Sequence, residues 1–145
     1  MLQARLPIND FVAAAVARGL KLEGFFPEFT AEHLQKLFPR SGLYPYRTDM
    51  EVIKEGDIGR DLFVVYAGSV RVQKLIGTAV AQLAVLGPGE VLGEIALLRD
   101  GTRSASVVAS VDSQIFRLAF EDLEYVLKHN EALGDHLRDL ASRRI

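Results

Sequence analysis

Cysteine and tryptophan are absent from the 145-residue chain, and histidine occurs three times, as His33, His129 and His136. Without cysteine there is no disulfide framework, no zinc-finger ligand set and no thiol nucleophile. The formal net charge is only −2, so no excess of positive charge is available to grip nucleic acid directly. Long apolar runs are missing too. The most apolar early stretch, Phe11 to Ala17, is far shorter than the ~20 residues that span a bilayer. It also lacks the basic flank of a signal peptide. It reads as an amphipathic helix, and a cytoplasmic protein that does not insert into membranes is expected. The three histidines fall in predicted helices, with His129 and His136 poorly spaced for joint metal ligation. No Ser-His-acid set is indicated. The expectation is therefore no metal, no catalytic residue and no enzyme activity.

What is present suffices for one core. About half of the chain, 49%, is apolar and a quarter, 25%, is charged, as in an ordinary single domain. Helix signals stand at both ends. Asn9 is a good N-cap, Ile8, Phe11, Val12, Ala15 and Val16 recur at helical spacing, and Gly19 marks a stop. Thr30 caps a second short helix with Leu34, Leu37 and Phe38 on its apolar face and Pro39 at its end. Phe25, Phe26 and Phe29 anchor this lead-in to the core.

From residue 42 to residue 118 the texture is that of short strands parted by glycine turns. The expected strands are Leu43–Arg47, Met50–Lys54, Leu62–Ala67, Val70–Ile76, Thr78–Leu86, Ser104–Val111 and Gln114–Leu118. Such spacing indicates an antiparallel sandwich or barrel of jelly-roll type. Ala79, Ala81, Leu83 and Val85 alternate cleanly and should share one face. The pattern breaks at Lys74-Leu75-Ile76, where a bulge or a strand end is expected. After Leu118 the helical period returns, with Phe120, Leu123, Val126 and Leu127 on one face and Glu124 and Lys128 as an i,i+4 pair. Asn130 then caps a last helix striped by Leu133, Leu137 and Leu140. The organisation is a single domain, 1–145: a helical lead-in (1–41), a β-barrel (42–118) and C-terminal helices (119–145).

The most informative segment runs from Gly87 to Ser106. A strand ends at Gly93, and one helical turn covers Glu94 to Leu98. Asp100-Gly101 turns the chain back, and Arg103 opens the next strand. That return brings Glu94 and Arg103 together across the turn. Ser104 and Ala105 leave their N–H groups open to an approaching anion, so the segment reads as an anion cradle with one fixed cation. The alternative on local chemistry is a surface ion pair worth ~0–1 kcal/mol.

Leu92-Gly93-Glu94-Ile95-Ala96-Leu97, a spacer, and Thr102-Arg103-Ser104-Ala105-Ser106 resemble the phosphate-binding cassette (residues 92–106 here) of the cyclic nucleotide-binding domain family. That family includes catabolite-activator regulators, protein kinase A regulatory subunits and cyclic-nucleotide-gated channels. Glu55-Gly56-Asp57, Leu62-Phe63-Val64-Val65, Gly68-Ser69-Val70 and Leu86-Gly87-Pro88-Gly89 extend the likeness. It implies a mainly β jelly-roll barrel (double-stranded β-helix) with N-terminal helices and C-terminal lid helices. It implies a regulatory sensor that binds cAMP, with cGMP as the second candidate, and no other cofactor. By position Glu94 would hold the ribose 2′-hydroxyl and Arg103 the cyclic phosphate. Ser104 and Ala105 would give N–H groups, and Gly93, Ile95 and Ala96 would complete the ligand-binding set. Leu92 and Thr102 depart from the usual Phe and Pro without removing a contact. Ala119 stands where a capping residue is common, so a loosely started helix is expected there.

The same likeness makes the last helix a lid over the base, with Leu133, Leu137, Arg138 and Leu140 (or Arg144) as the candidate contacts. The competing reading of that stripe is a homodimer seam. An effector protein or domain is the expected partner. A DNA-binding domain outside this sequence, or a non-binding member serving as an interaction domain, are the alternatives.

Overall fold

The computed structural model describes residues 4–93 and 101–142. Two helices, α1 (Asp10–Gly19) and α2 (Ala31–Leu37), lead into eight strands. These are β1 (Gly42–Tyr46), β2 (Glu51–Ile53), β3 (Leu62–Ala67), β4 (Val70–Ile76), β5 (Ala79–Leu86), β6 (Val91–Leu92), β7 (Ser106–Ala109) and β8 (Ser113–Leu118). Helices α3 (Phe120–His129) and α4 (Glu131–Ser142) follow. The strands form two four-stranded antiparallel sheets, in the orders β1-β8-β3-β6 and β2-β7-β4-β5. This is the mainly β jelly-roll architecture, flanked by helices, that the strand spacing suggests.

The period-2 alternation of strands sorts the apolar residues into two cores. Phe63, Val65, Leu92 and Ile115 of the first sheet meet Ile53, Val70 and Val107 of the second. From the opposite face of the first sheet, Leu43, Leu62, Val64, Val91, Phe116 and Leu118 pack on the helices. β3 is therefore buried on both faces, which is why Leu62 to Val65 is an unbroken apolar run. On the helical side the core takes in Val12, Val16, Leu20, Leu34, Phe38, Leu123 and Val126, together with Leu133, Leu137 and Leu140.

Local chemistry accounts for the helix ends. Asn9 Oδ1 accepts the Val12 N–H at 3.0 Å. Thr30 and His33 form a reciprocal capping box. Gly19 is the last residue of α1 and does not itself turn the chain; the left-handed residue is Lys21, at φ +53°. A Cβ on Gly19 would lie 3.0 Å from both Gly89 O and Val64 Cγ1. The glycine serves close packing of α1 on the barrel, a role the sequence pattern does not distinguish from a stop signal.

Two strand expectations are corrected. Of the two readings at Lys74-Leu75-Ile76 the strand end holds, since β4 ends at Ile76; the bulge between β4 and β5 lies earlier, at Val72/Gln73, which face Ala84 and Gln82. It leaves Leu83 as an extra residue. Past it the inward set changes parity, so Ala84 and Leu86 are half-buried while Leu83 and Val85 are exposed. Ala79, Ala81, Leu83 and Val85 do not share a face. The strand expected from Ser104 begins at Ser106, so Arg103 sits ahead of it in irregular backbone.

α3 has no side-chain cap on Ala119, yet its start is held by residues far away in sequence. The Phe120 N–H donates to Asp61 Oδ1 at 2.8 Å, and the Ala119 N–H donates to Ser41 Oγ at 2.9 Å. Ser41 Oγ donates in turn to the buried Asp122 carboxylate at 2.7 Å, which also takes the Arg40 N–H at 2.9 Å. The loosely started helix expected from Ala119 is thus anchored by Ser41 and Asp61, just ahead of β1 and β3.

Candidate functional site

Between the two sheets a cavity of about 160 Å³ opens beside the segment that follows Gly101. Its walls are apolar, from Ile53, Val72, Leu86, Leu92 and Val107, and its polar end is made by Gly93 and residues 102–105. Gly93, Arg103, Ser104 and Ala105 are therefore brought to one place. Glu94, Ile95 and Ala96 lie outside the described residues, as does the helical turn expected from Glu94 to Leu98.

Arg103 is the centre of the polar end. Its backbone is tied to the loop before β3: the Arg103 N–H donates to Asp57 O at 2.8 Å, and Arg103 O accepts the Gly56 N–H at 2.9 Å. The Gly59 N–H to Gly101 O bond, 2.8 Å, continues this pairing. The side chain then turns inward and is only 9% exposed. Its Nη2 donates to the main-chain oxygen of Asp61 at 3.0 Å. Its Nη1 is buried with no hydrogen-bond partner among the described residues.

Gly93 makes this placement sterically possible. Its φ is +85°, a region that side chains rarely enter. A Cβ there would stand 2.8 Å from Arg103 Nη1 and 2.9 Å from Asp61 O. Any larger residue would push the guanidinium out of the cradle.

Burial pushes the Arg103 guanidinium below its ordinary pKa, and the charge of Asp61 offsets part of that effect. Arginine stays protonated regardless, so the site holds a desolvated cation with Nη1 unused among the described residues. Such a group is costly unless an anion meets it. A phosphate has the charge and the paired oxygens for a guanidinium, so the residues present fit a cyclic phosphate at this position.

Asp61 is the residue that reasoning from the sequence missed. Its carboxylate receives Arg117 Nε at 2.8 Å and the first N–H of α3, while its main-chain oxygen holds Arg103. Arg117 is held above its ordinary pKa: burial works against its charge, and the hydrogen bond and charge of Asp61 more than compensate. The available signal was the second acid of Asp57-Ile58-Gly59-Arg60-Asp61, just before an apolar strand. Asp61→Asn should keep the main-chain contact to Arg103 but weaken the bonds to Arg117 and α3. The expected cost is ~1–2 kcal/mol, since the pair is partly exposed. Urea unfolding of the unliganded chain reads this directly, and an unchanged midpoint would remove Asp61 from this role.

The C-terminal stripe sits elsewhere in this structure. Leu133, Leu137 and Leu140 are buried in the helical-side core with Val16, Leu20 and Leu22. No described residue of α3 or α4 lines the cavity. Arg138 is exposed beside Asp135, 3.7 Å away. His33, His129 and His136 lie on α2, α3 and α4, outside the sheets. No helix among the described residues is long and apolar enough to cross a membrane.

The family model of the cyclic nucleotide-binding domain matches residues 45–130. The chain is 36% identical to the cyclic AMP receptor protein of Thermus thermophilus over 104 residues, 71% of this chain and 47% of the receptor. Among solved structures, a cyclic nucleotide-binding domain from Methylobacillus flagellatus superposes with a TM-score of 0.76 at 26% identity, over 94% of this chain and 79% of that one. The Thermus thermophilus catabolite activator protein superposes with a TM-score of 0.71 at 31% identity, over 87% of this chain and 57% of that one. The chain thus spans less than half the length of the receptor it resembles, and the part that the family model matches includes β2 to β8, Gly93 and Arg103. The inward arginine, the glycine that makes room for it and these likenesses agree: this chain belongs to the cyclic nucleotide-binding domain family.

Proposed function

We propose that this domain is a sensor that binds a 3′,5′-cyclic mononucleotide reversibly, without turning it over, and passes the occupancy on through its C-terminal helices. The observation that carries the reading is Arg103 at the polar end of a cavity with apolar walls, its Nη1 buried with no partner among the described residues. The phosphate would take Nη1 together with the N–H groups at Ser104 and Ala105. The purine would lie along Val72, Leu86 and Val107. Glu94 is assigned to the ribose 2′-hydroxyl, with Ile95 and Ala96 beside it, on the strength of the cassette resemblance. We take the cytoplasm as its compartment and a further domain or effector protein as its output.

Asp61 supports a relay, because it touches Arg103 with its main chain and the first turn of α3 with its carboxylate. Movement of the guanidinium towards a phosphate would disturb both. The lid and dimer-seam readings of α4 each require the stripe of Leu133, Leu137 and Leu140 to leave its present core.

cAMP is the favoured ligand, in keeping with the name of the Thermus receptor. Ser104 lines the cavity, and its hydroxyl can serve the phosphate or the guanine amino group of cGMP. Both nucleotides are expected to bind within about 1–2 kcal/mol of each other, one hydrogen bond's worth. Calorimetric titration with cAMP and cGMP tests the reading; no heat with either nucleotide would refute it. Ser104→Ala should weaken cGMP more than cAMP. An equal loss for both would restrict Ser104 to the phosphate, and a strong preference of the parent for cGMP would overturn the choice of cAMP.

A further inference from the structure

We propose that His136 is a latch: it holds α4 parked against the end of α1, and the ease of its release sets how readily the nucleotide site fills. The second half of this proposal rests on nucleotide binding at Arg103.

Residue by residue, the freedom of the C-terminal segment lies beyond Asn130. The start of α3 is fixed to the barrel by Asp61, Ser41 and Asp122. Asn130 is the pivot. Its N–H closes α3 on Val126 O, and its Oδ1 starts α4 by accepting the Leu133 N–H at 3.1 Å. α4 then lies close on α3, where a Cβ on Gly134 would stand 3.3 Å from Leu127 Cα.

From there α4 is held on the lead-in by two kinds of contact. The burial of Leu133, Leu137 and Leu140 is strong but non-directional. A directional contact is made by His136, whose Nε2 meets Leu20 O at 3.0 Å. Its ring packs on Phe25, centroids 5.1 Å apart and planes inclined at 55°.

Leu20 O is a good place for a latch. Leu20 is the residue after α1, so its carbonyl is one that the helix cannot satisfy internally. The chain turns away at once through the left-handed Lys21. Because the partner is a carbonyl, Nε2 must carry a proton and donate.

The parked position keeps α4 from the ligand. Its stripe belongs to the core on the outer face of the β1-β8-β3-β6 sheet, whereas the cavity lies between the sheets. An α4 that covers a bound nucleotide must first give up the Leu20 contact. The apparent affinity is then lowered by the fraction of molecules still latched.

The test compares His136→Leu with His136→Gln in the full chain. Leucine keeps apolar bulk beside Phe25 and lacks the donor; glutamine retains an N–H. Two readouts are needed: amide hydrogen exchange across residues 131–142 without ligand, and cAMP affinity by calorimetry. His136→Leu should raise α4 exchange about fivefold and tighten cAMP by about the same factor, the effect of one hydrogen bond. His136→Gln should stay within about twofold of the parent on both readouts.

Unchanged α4 exchange in His136→Leu would overturn the latch. Faster exchange with unchanged cAMP affinity would overturn its control of the site. A parent chain that binds neither cAMP nor cGMP would fail the functional reading itself, and the exchange measurement would still decide whether His136 holds α4.

Discussion

Arg103→Ala should abolish measurable cyclic-nucleotide binding while leaving the domain folded. In the complex the guanidinium would neutralise a phosphate taken out of water. Removing one partner of a buried charge pair strands the other, at ~3–5 kcal/mol, which is about a hundred- to several-thousand-fold in Kd. In the unliganded chain the sign reverses. Among the described residues Arg103 is buried with Nη1 unpartnered, and its side chain holds the bond to Asp61 O, so its loss relieves a desolvated charge at the cost of that bond.

The unfolding midpoint of the apo variant should therefore equal or exceed that of the parent. The combination of lost affinity and preserved stability separates a ligand-binding arginine from a structural one, which would lower both. Arg103→Lys should fall between, since an ammonium keeps the charge without the planar two-point edge. Glu94→Ala should cost less than Arg103→Ala, because a ribose hydroxyl is neutral. Parent-like nucleotide affinity in Arg103→Ala would move the site elsewhere.

The sequence makes the fold class and the central site residue legible for different reasons. Strand order follows from runs such as Leu62–Ala67 and Val70–Ile76, whose bounds the structure reproduces residue for residue. Their composition and glycine turns are local facts. The β5 error arises because the parity of a strand can be changed by a single extra residue, and Leu83 looks like any other member of an alternating run.

Arg103 was found through its neighbours in sequence, in a segment that carries its own pattern. Asp61 was missed because its role exists only in three dimensions. Its bonds run to Arg103, Arg117 and Phe120, each more than forty positions away. The uncapped Ala119 misled for the same reason, its substitute caps being Asp61 and Ser41. The stripe on α4 shows the limit most plainly. The period identifies Leu133, Leu137 and Leu140 as one face, but a lid, a seam and a core face share that period, and only the fold shows which surface it meets.

That surface gives Leu137→Ala a large expected effect on stability. Leu137 is 1% exposed within the core formed with Leu20, Leu22 and Leu133. Truncating such a leucine removes its transfer energy and leaves a void, at ~2–5 kcal/mol. A leucine on a free lid or an unformed seam would cost about 0.5 kcal/mol or less, as surface substitutions do. Denaturant unfolding of the unliganded chain therefore discriminates between the states. A loss in the larger range places the parked α4 in solution, and a near-neutral result shows that α4 is already detached without ligand.

Deletion after Asn130 should act on the fold as well as on the site. Removing α4 exposes Val12, Val16 and Leu20 to water, so the shortened chain should be destabilised throughout, and should not simply release nucleotide faster. Point substitutions on the stripe are the sounder probe of its movement. Bound nucleotide offers a second check on Leu137→Ala. If α4 leaves its core to cover the ligand, part of the penalty is already lost in the complex, and the variant should gain affinity while losing stability. A variant that loses both would show that α4 stays on the lead-in when the site is filled, and that the signal travels through Asp61 and α3 alone.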